Sequence, residues 1–212
     1  MTEQAFTHDF TMMYVMHDAL RRELGRIADI VATADDPQKV LRESPGWAMF
    51  KRALHVHHHA EDEALWPEVR AAAAGNAADL AVLDAMEEQH AAVGPGLRFL
   101  DAALDDGEAG AARLPVIVER LVAGLGGHLT DEEEQALAVL DTYATPELLV
   151  RFGAEHSSRM GADAPRFVPW MLDGAKPEYA ETVLGRLPEP VRQAYAQHWA
   201  PAYAETELWI RG

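Results

Sequence analysis

The sequence predicts an all-α protein, an up-down-up-down four-helix bundle followed by a C-terminal appendage of short helices. Apolar residues recur at three- and four-residue steps through four long segments, and breaks such as Asp35-Asp36-Pro37 and Asp105-Asp106-Gly107 part them. No strand pattern, internal repeat or low-complexity segment stands out. Four long amphipathic helices with short links bury their apolar stripes most simply by packing up and down against one another.

The first helix is carried by Phe10, Met13, His17, Leu20, Leu24, Ile27 and Val31, and Asp35-Asp36-Pro37 ends it. Ser44-Pro45 reads as an N-cap followed by a proline at the first helical position. From there Trp47, Phe50, Leu54, Glu61 and Leu65 form the stripe of a second helix running to Pro67 and fraying through Ala71 to Ala74 into Gly75-Asn76. Leu80, Leu83, Met86, His90, Val93, Leu97 and Leu100 mark the third helix. A kink is expected at Gly94-Pro95-Gly96, because Pro95 has no N–H to give the ladder. The fourth helix runs from Pro115 to Leu140 through Val118, Leu121, Leu125, His128, Glu132 and Val139. After Thr145-Pro146, prolines at 165, 169, 177, 188, 190 and 201, with Trp170, Trp199 and Trp209, predict several short helices. The expected division is therefore 1–144 for the bundle and 145–212 for a helical extension packed on it.

Composition narrows the function. With 212 residues, 49% of them hydrophobic, the chain can bury the core of one large domain, or of one domain with an appendage. Its formal charge of -17 repels phosphate backbones and anionic lipid, which argues against nucleic-acid and membrane-surface partners. The opening MTEQAFTHDF has neither the basic start nor the apolar run of a signal peptide, and no stretch reaches the ~18 consecutive apolar residues of a membrane span. The expectation is a cytoplasmic protein. There is no cysteine, hence no disulfide, no Cys-ligated metal and no thiol nucleophile, and any metal must sit on histidine and carboxylate.

The stretch HVHHHAEDEALWP, residues 55–67, holds four histidines and three acidic residues in its first nine positions. At about 100° per residue from Leu54, the apolar Trp47, Phe50 and Leu65 fall within roughly 40° of it, and so does Glu61. His57 lies about 60° to one side and His58 about 40° to the other, whereas His55, His59 and Glu63 turn away. On the fourth helix His128 and Glu132 share the apolar face and Glu133 is turned roughly 100° from Glu132. His17 and His90 sit within the stripes of the first and third helices. Every bundle helix thus presents an inward histidine, and two present an inward glutamate. A buried unpaired carboxylate is unfavourable by several kcal/mol, and two facing each other repel unless protonated or bridged by cations. HxxxE places a nitrogen and an oxygen one turn apart on one face, so two such helices suit a pair of iron, manganese or zinc ions.

His17, then HxxxE at His57 to Glu61, then His90, then HxxxE at His128 to Glu132, with EDEALWP closing the second helix, resembles the hemerythrin-like or HHE cation-binding proteins over about residues 8 to 142. The resemblance implies a non-heme site of two iron ions with an oxo, hydroxo or water bridge. Glu61 and Glu132 would be bridging carboxylates and His17, His57, His90 and His128 terminal ligands. It implies a protein that binds or senses oxygen, nitric oxide or redox state. The alternatives are an enzyme disproportionating hydrogen peroxide or reducing nitric oxide, and a regulator that docks a protein partner or a second copy. The sequence departs from the oxygen carriers of the family at Met86, where they have the first histidine of an HxxxH. His58 is the additional ligand that the inward face offers in its place. His55 and His59 read as solvated, and His8, His156 and His198 as structural. Asp62, Glu63, Glu133 and Glu134 read as an outer charged face from which acceptors for ligand imidazoles are drawn.

Overall fold

The computed structural model of the chain describes residues 6–210; the opening MTEQA, part of the stretch read above as a non-signal start, lies outside them, as do residues 211 and 212. Among the described residues there are helices and no strands. Helix α1 spans Thr11–Thr33 and stops where Ala34 turns extended before Asp35-Asp36. The Asp36-Pro37 pair then does more than break it. The Asp36 carboxylate accepts the Lys39 N–H at 3.0 Å and starts a short helix, α2, over Pro37–Glu43. Helix α3 covers Pro45–Ala64, ending earlier than the expected Pro67. Leu65 (φ −115°, ψ −66°) interrupts the helix, and the proline serves instead near the start of α4, Trp66–Ala72. Asn76 closes that segment and caps the next, its side-chain oxygen accepting N–H groups of Ala78 and Asp79.

Helix α5, Ala77–Asp105, continues unbroken through Pro95. Helix α6, Gly107–Asp131, begins eight residues before the expected Pro115, which sits exposed within it. Gly107 has φ +51°, and Gly110 lies so close to α5 that a Cβ there would stand 2.0 Å from the Ala103 carbonyl oxygen. That glycine lets the two antiparallel backbones touch just after the turn. A wide π turn, Glu132–Ala136, follows α6 and leads into α7, Leu137–Tyr143. The C-terminal part comprises α8 (Pro146–Met160), α9 (Ala164–Leu172), α10 (Pro177–Arg186), α11 (Glu189–Ala194) and, after a second π turn, α12 (Ala200–Ala204).

Helices α1, α3, α5 and α6 with its continuation form the bundle, and its interior divides into two apolar clusters. The larger contains Leu20, Leu24 and Ile27 of α1, Phe50 and Leu54 of α3, Leu100 of α5 and Leu125 of α6. The smaller contains Met13, Leu65, Leu83, Met86, Leu137 and Leu140. Along every bundle helix the inward histidine falls between a residue of one cluster and a residue of the other, so the polar site is a layer sealed above and below by hydrocarbon. Phe167 and Trp170 of α9 are fully buried in the larger cluster, which packs the C-terminal helices onto the bundle. Its last residues strap back across α1 and α3. Trp209 Nε1 donates to the buried Glu23 carboxylate at 2.7 Å, Gly46 N–H to the Leu208 carbonyl at 2.7 Å, and Ile210 N–H to Ser44 Oγ at 3.0 Å. Arg22 and Arg26 complete the charge balance of Glu23. No helix among the described residues is long and apolar enough to cross a membrane.

Candidate metal centre

All four bundle helices supply the polar layer: His17 from α1, His57, His58 and Glu61 from α3, His90 from α5, His128 from the last turn of α6, and Glu132 from the start of the π turn. The four-residue steps from His57 to Glu61 and from His128 to Glu132 put each pair on one inward face. His17, Glu61 and Glu132 are fully buried. Their donor atoms form two neighbouring groups, one of His17, His57, Glu61 and Glu132, the other of His58, His90 and His128.

The distances link the groups through the carboxylates. In the first group the Nε2 atoms of His17 and His57 lie 3.0 Å apart, with Glu132 Oε2 at 3.3 Å from His17 and Glu61 Oε1 at 3.3 Å from His57. In the second the Nε2 atoms of His90 and His128 lie 3.2 Å apart, with Glu61 Oε2 at 3.6 Å from His90 and Glu132 Oε2 at 3.7 Å from His128. Glu61 therefore turns one oxygen to each group, and one oxygen of Glu132 stands between them. His58 stacks on His90, ring centroids 4.0 Å apart, and meets the edge of His128 at 5.1 Å. Met86 is packed in the smaller apolar cluster.

Around this layer an outer ring of acceptors orients the imidazoles. His17 Nδ1 donates to Glu133 at 2.8 Å, His90 Nδ1 to Asp62 at 2.7 Å and His128 Nδ1 to Gln89 Oε1 at 3.0 Å. With the proton on Nδ1, each ring turns the Nε2 lone pair inward. Glu133 and Asp62 were within reach of sequence reasoning as acidic neighbours of inward residues, but Gln89 was not, since an amide beside an inward histidine carries no pattern of its own. Glu132 meets His17 at Nε2 and Glu133 meets it at Nδ1, so neighbouring residues at the start of the π turn, where Leu137 N–H bonds the Glu132 carbonyl five residues back, hold opposite sides of one ring.

Electrostatics favour a cation. None of the four oxygens of Glu61 and Glu132 receives a well-formed hydrogen bond, and His58 Nε2 is likewise buried without a partner. Burial, and then the charge of Glu132, push the Glu61 carboxyl well above its ordinary range. Glu132 is held low despite its burial, chiefly by His17. Burial holds His57 and His58 well below the usual imidazole value and His128 down to about 4, so these rings keep free lone pairs at neutral pH. His17 alone goes up: burial opposes its charge, and Glu132 and Glu133 outweigh that. Donors bound to one ion at roughly 2.0–2.2 Å stand about 3.0–3.5 Å from each other, close to the separations of His17 from His57 and Glu132, of His57 from Glu61 and of His90 from His128, and the donors of each group all lie within 4.8 Å of one another. Imidazole with carboxylate is the donor chemistry of borderline transition ions.

The remaining histidines give no donor to either group. His55 and His59 are exposed, as is His198. His8 Nδ1 pairs with Asp141 at 3.1 Å. His156, pushed down to about 4 by burial, packs edge-on against Phe167 and beside the His57 ring. A groove of about 540 Å³ between Trp66, Arg70, Leu83 and Glu87 reaches His90 from outside.

The family model of the Hemerythrin HHE cation binding domain matches residues 8–140. Among curated proteins and solved structures, none matches the chain.

Proposed function

The chain belongs to the hemerythrin HHE cation-binding domain family, and from that premise we propose that it holds two iron ions between its buried donor groups and binds or senses oxygen, nitric oxide or redox state through them. One observation carries the reading: two fully buried glutamates without hydrogen-bond partners lie between two sets of histidines. Two carboxylates and five imidazoles in a sealed layer are an expensive arrangement unless cations neutralise it. His17 and His57 would hold one ion, His58, His90 and His128 the other, and Glu61 and Glu132 would serve both. Bound iron supplies a one-electron couple and coordination positions for a small diatomic molecule or peroxide.

The chain's own residues set the terms. Glu133, Asp62 and Gln89 fix the ring orientations of His17, His90 and His128, so the donors need no rearrangement to bind. One group offers three imidazoles and the other two, so an exogenous ligand meets fewer competing protein donors on the His17 and His57 side. The apolar clusters on either side keep bulk water from the layer, and the groove beside His90 supports an approach from solvent at the three-imidazole group.

The test is optical. Protein reduced without oxygen is mixed separately with oxygen, nitric oxide and hydrogen peroxide. A new absorption that saturates at a fixed ratio of ligand to protein is expected for oxygen or nitric oxide. Sustained consumption of peroxide over many turnovers, with no such absorption, would replace the binding role by an enzymatic one.

A further inference from the structure

We propose that His55 and His59 form a second, solvent-facing metal site on the outer side of α3, specific for a borderline divalent transition ion and independent of the buried layer. The two residues stand one helical turn apart, and their ring centroids approach to 3.8 Å with planes tilted 48°. Both are exposed, and neither makes a hydrogen bond or ion pair among the described residues. Their nitrogens are thus free for a ligand, unlike those of His8, which is held by Asp141. A helix keeps side chains at i and i+4 about 5–6 Å apart at Cβ, so two exposed imidazoles one turn apart can open from their ring contact and turn a nitrogen each to one ion while the backbone stays fixed. Imidazole pairs select zinc, nickel or copper(II) over calcium and magnesium, which want oxygen.

Arg52 and Arg159 lie near the pair and oppose charge on His55, but both are themselves paired, Arg52 with Asp163 at 2.9 Å, and Arg159 with Glu63 at 2.5 Å and Glu155 at 2.7 Å. The pair faces away from the His57, His58 and Glu61 side of the same helix, so it acts apart from the buried donors.

The experiment is calorimetric titration of nickel(II) into the full chain carrying its native metal, compared with His55→Asn, His59→Asn and the double variant. Wild type is expected to take up one nickel equivalent that each single variant lacks in full, because a chelate fails when either ring is removed. The double variant is expected to match the singles, and native metal content to be unchanged in all three. If the singles each lose only part of the uptake and the double loses their sum, the rings bind separately and the chelate is wrong. If nickel uptake is the same in wild type and variants, there is no site at this pair.

Discussion

Glu133 accepts a hydrogen bond from His17 Nδ1 on Oε1 at 2.8 Å while Arg21 holds both oxygens of the same carboxylate, Oε1 at 2.7 Å and Oε2 at 3.0 Å. The imidazole is held in one orientation by a charge that is itself held. Replacing Glu133 by Gln keeps the shape and removes the charge, and replacing it by Ala frees the ring. Metal affinity, measured by competition with a chelator, is expected to fall about 10- to 100-fold for Ala and less for Gln, with helicity unchanged. Unaltered affinity in both variants would contradict an orienting role.

Glu61 and Glu132 serve opposite ends of the metal-free and metal-loaded energetics. Removing metal from wild type leaves a Glu61 carboxyl whose ionisation is opposed by burial and by Glu132. Glu61→Gln is therefore expected to raise the melting temperature of the metal-free protein while lowering metal content, and Glu61→Ala and Glu132→Ala to lose metal together with the stability it confers. Thermal melts with and without chelator distinguish these outcomes.

The metal-free protein should be sensitive to acid. His57, His58, His128 and His156 are all depressed below the ordinary imidazole value, His128 and His156 to about 4. Between that value and about 6.5 the unfolded chain binds protons at these four rings that the folded chain does not, so stability falls as pH drops through this window. Raised Glu61 works in the opposite direction over the same range and raised His17 just above it, but they are two groups against four. Chelator-treated protein should melt at a lower temperature at pH 5 than at pH 7, and the reverse order would contradict the burial of neutral imidazoles.

His58 and Met86 are separated by a pair of variants. His58→Ala removes a ring stacked on His90 and is expected to weaken metal binding. Met86→His puts a polar ring into the apolar cluster of Leu65, Leu83 and Leu137, at a destabilisation on the order of 1–3 kcal/mol, with no gain in metal content. Elemental content and denaturant midpoints decide both. A rise in metal affinity in Met86→His would show that position 86, rather than His58, is where the set lacks a donor.

How much of this was legible in the sequence follows from what periodicity encodes. A 3.6-residue repeat reports which face of a helix is apolar, so the inward placement of His17, His57, His58, Glu61, His90, His128 and Glu132 could be read by angle alone. It does not report a widened turn: the π turn at Glu132–Ala136 has no mark in the sequence. Helix boundaries failed where one residue type has two uses, as Pro67 and Asp36 start helices beside the ones they end, and Pro115 sits within one. Long-range pairing was invisible too. Nothing in the sequence singles out Glu23, over which Trp209, 186 residues later, closes.

That strap gives its own outcome. Trp209→Phe keeps the ring over Gly46 and removes the N–H that Glu23 accepts, so a destabilisation of about 1–3 kcal/mol is expected, with metal content unaffected. Denaturant unfolding and elemental content of the same sample report both.

The most direct measurement of the central claim is the metal content of protein produced in iron-replete cells. About two iron ions per chain are expected, because the buried donors divide into two groups that share two carboxylates. One zinc ion per chain, or no metal at all, would contradict the di-iron reading.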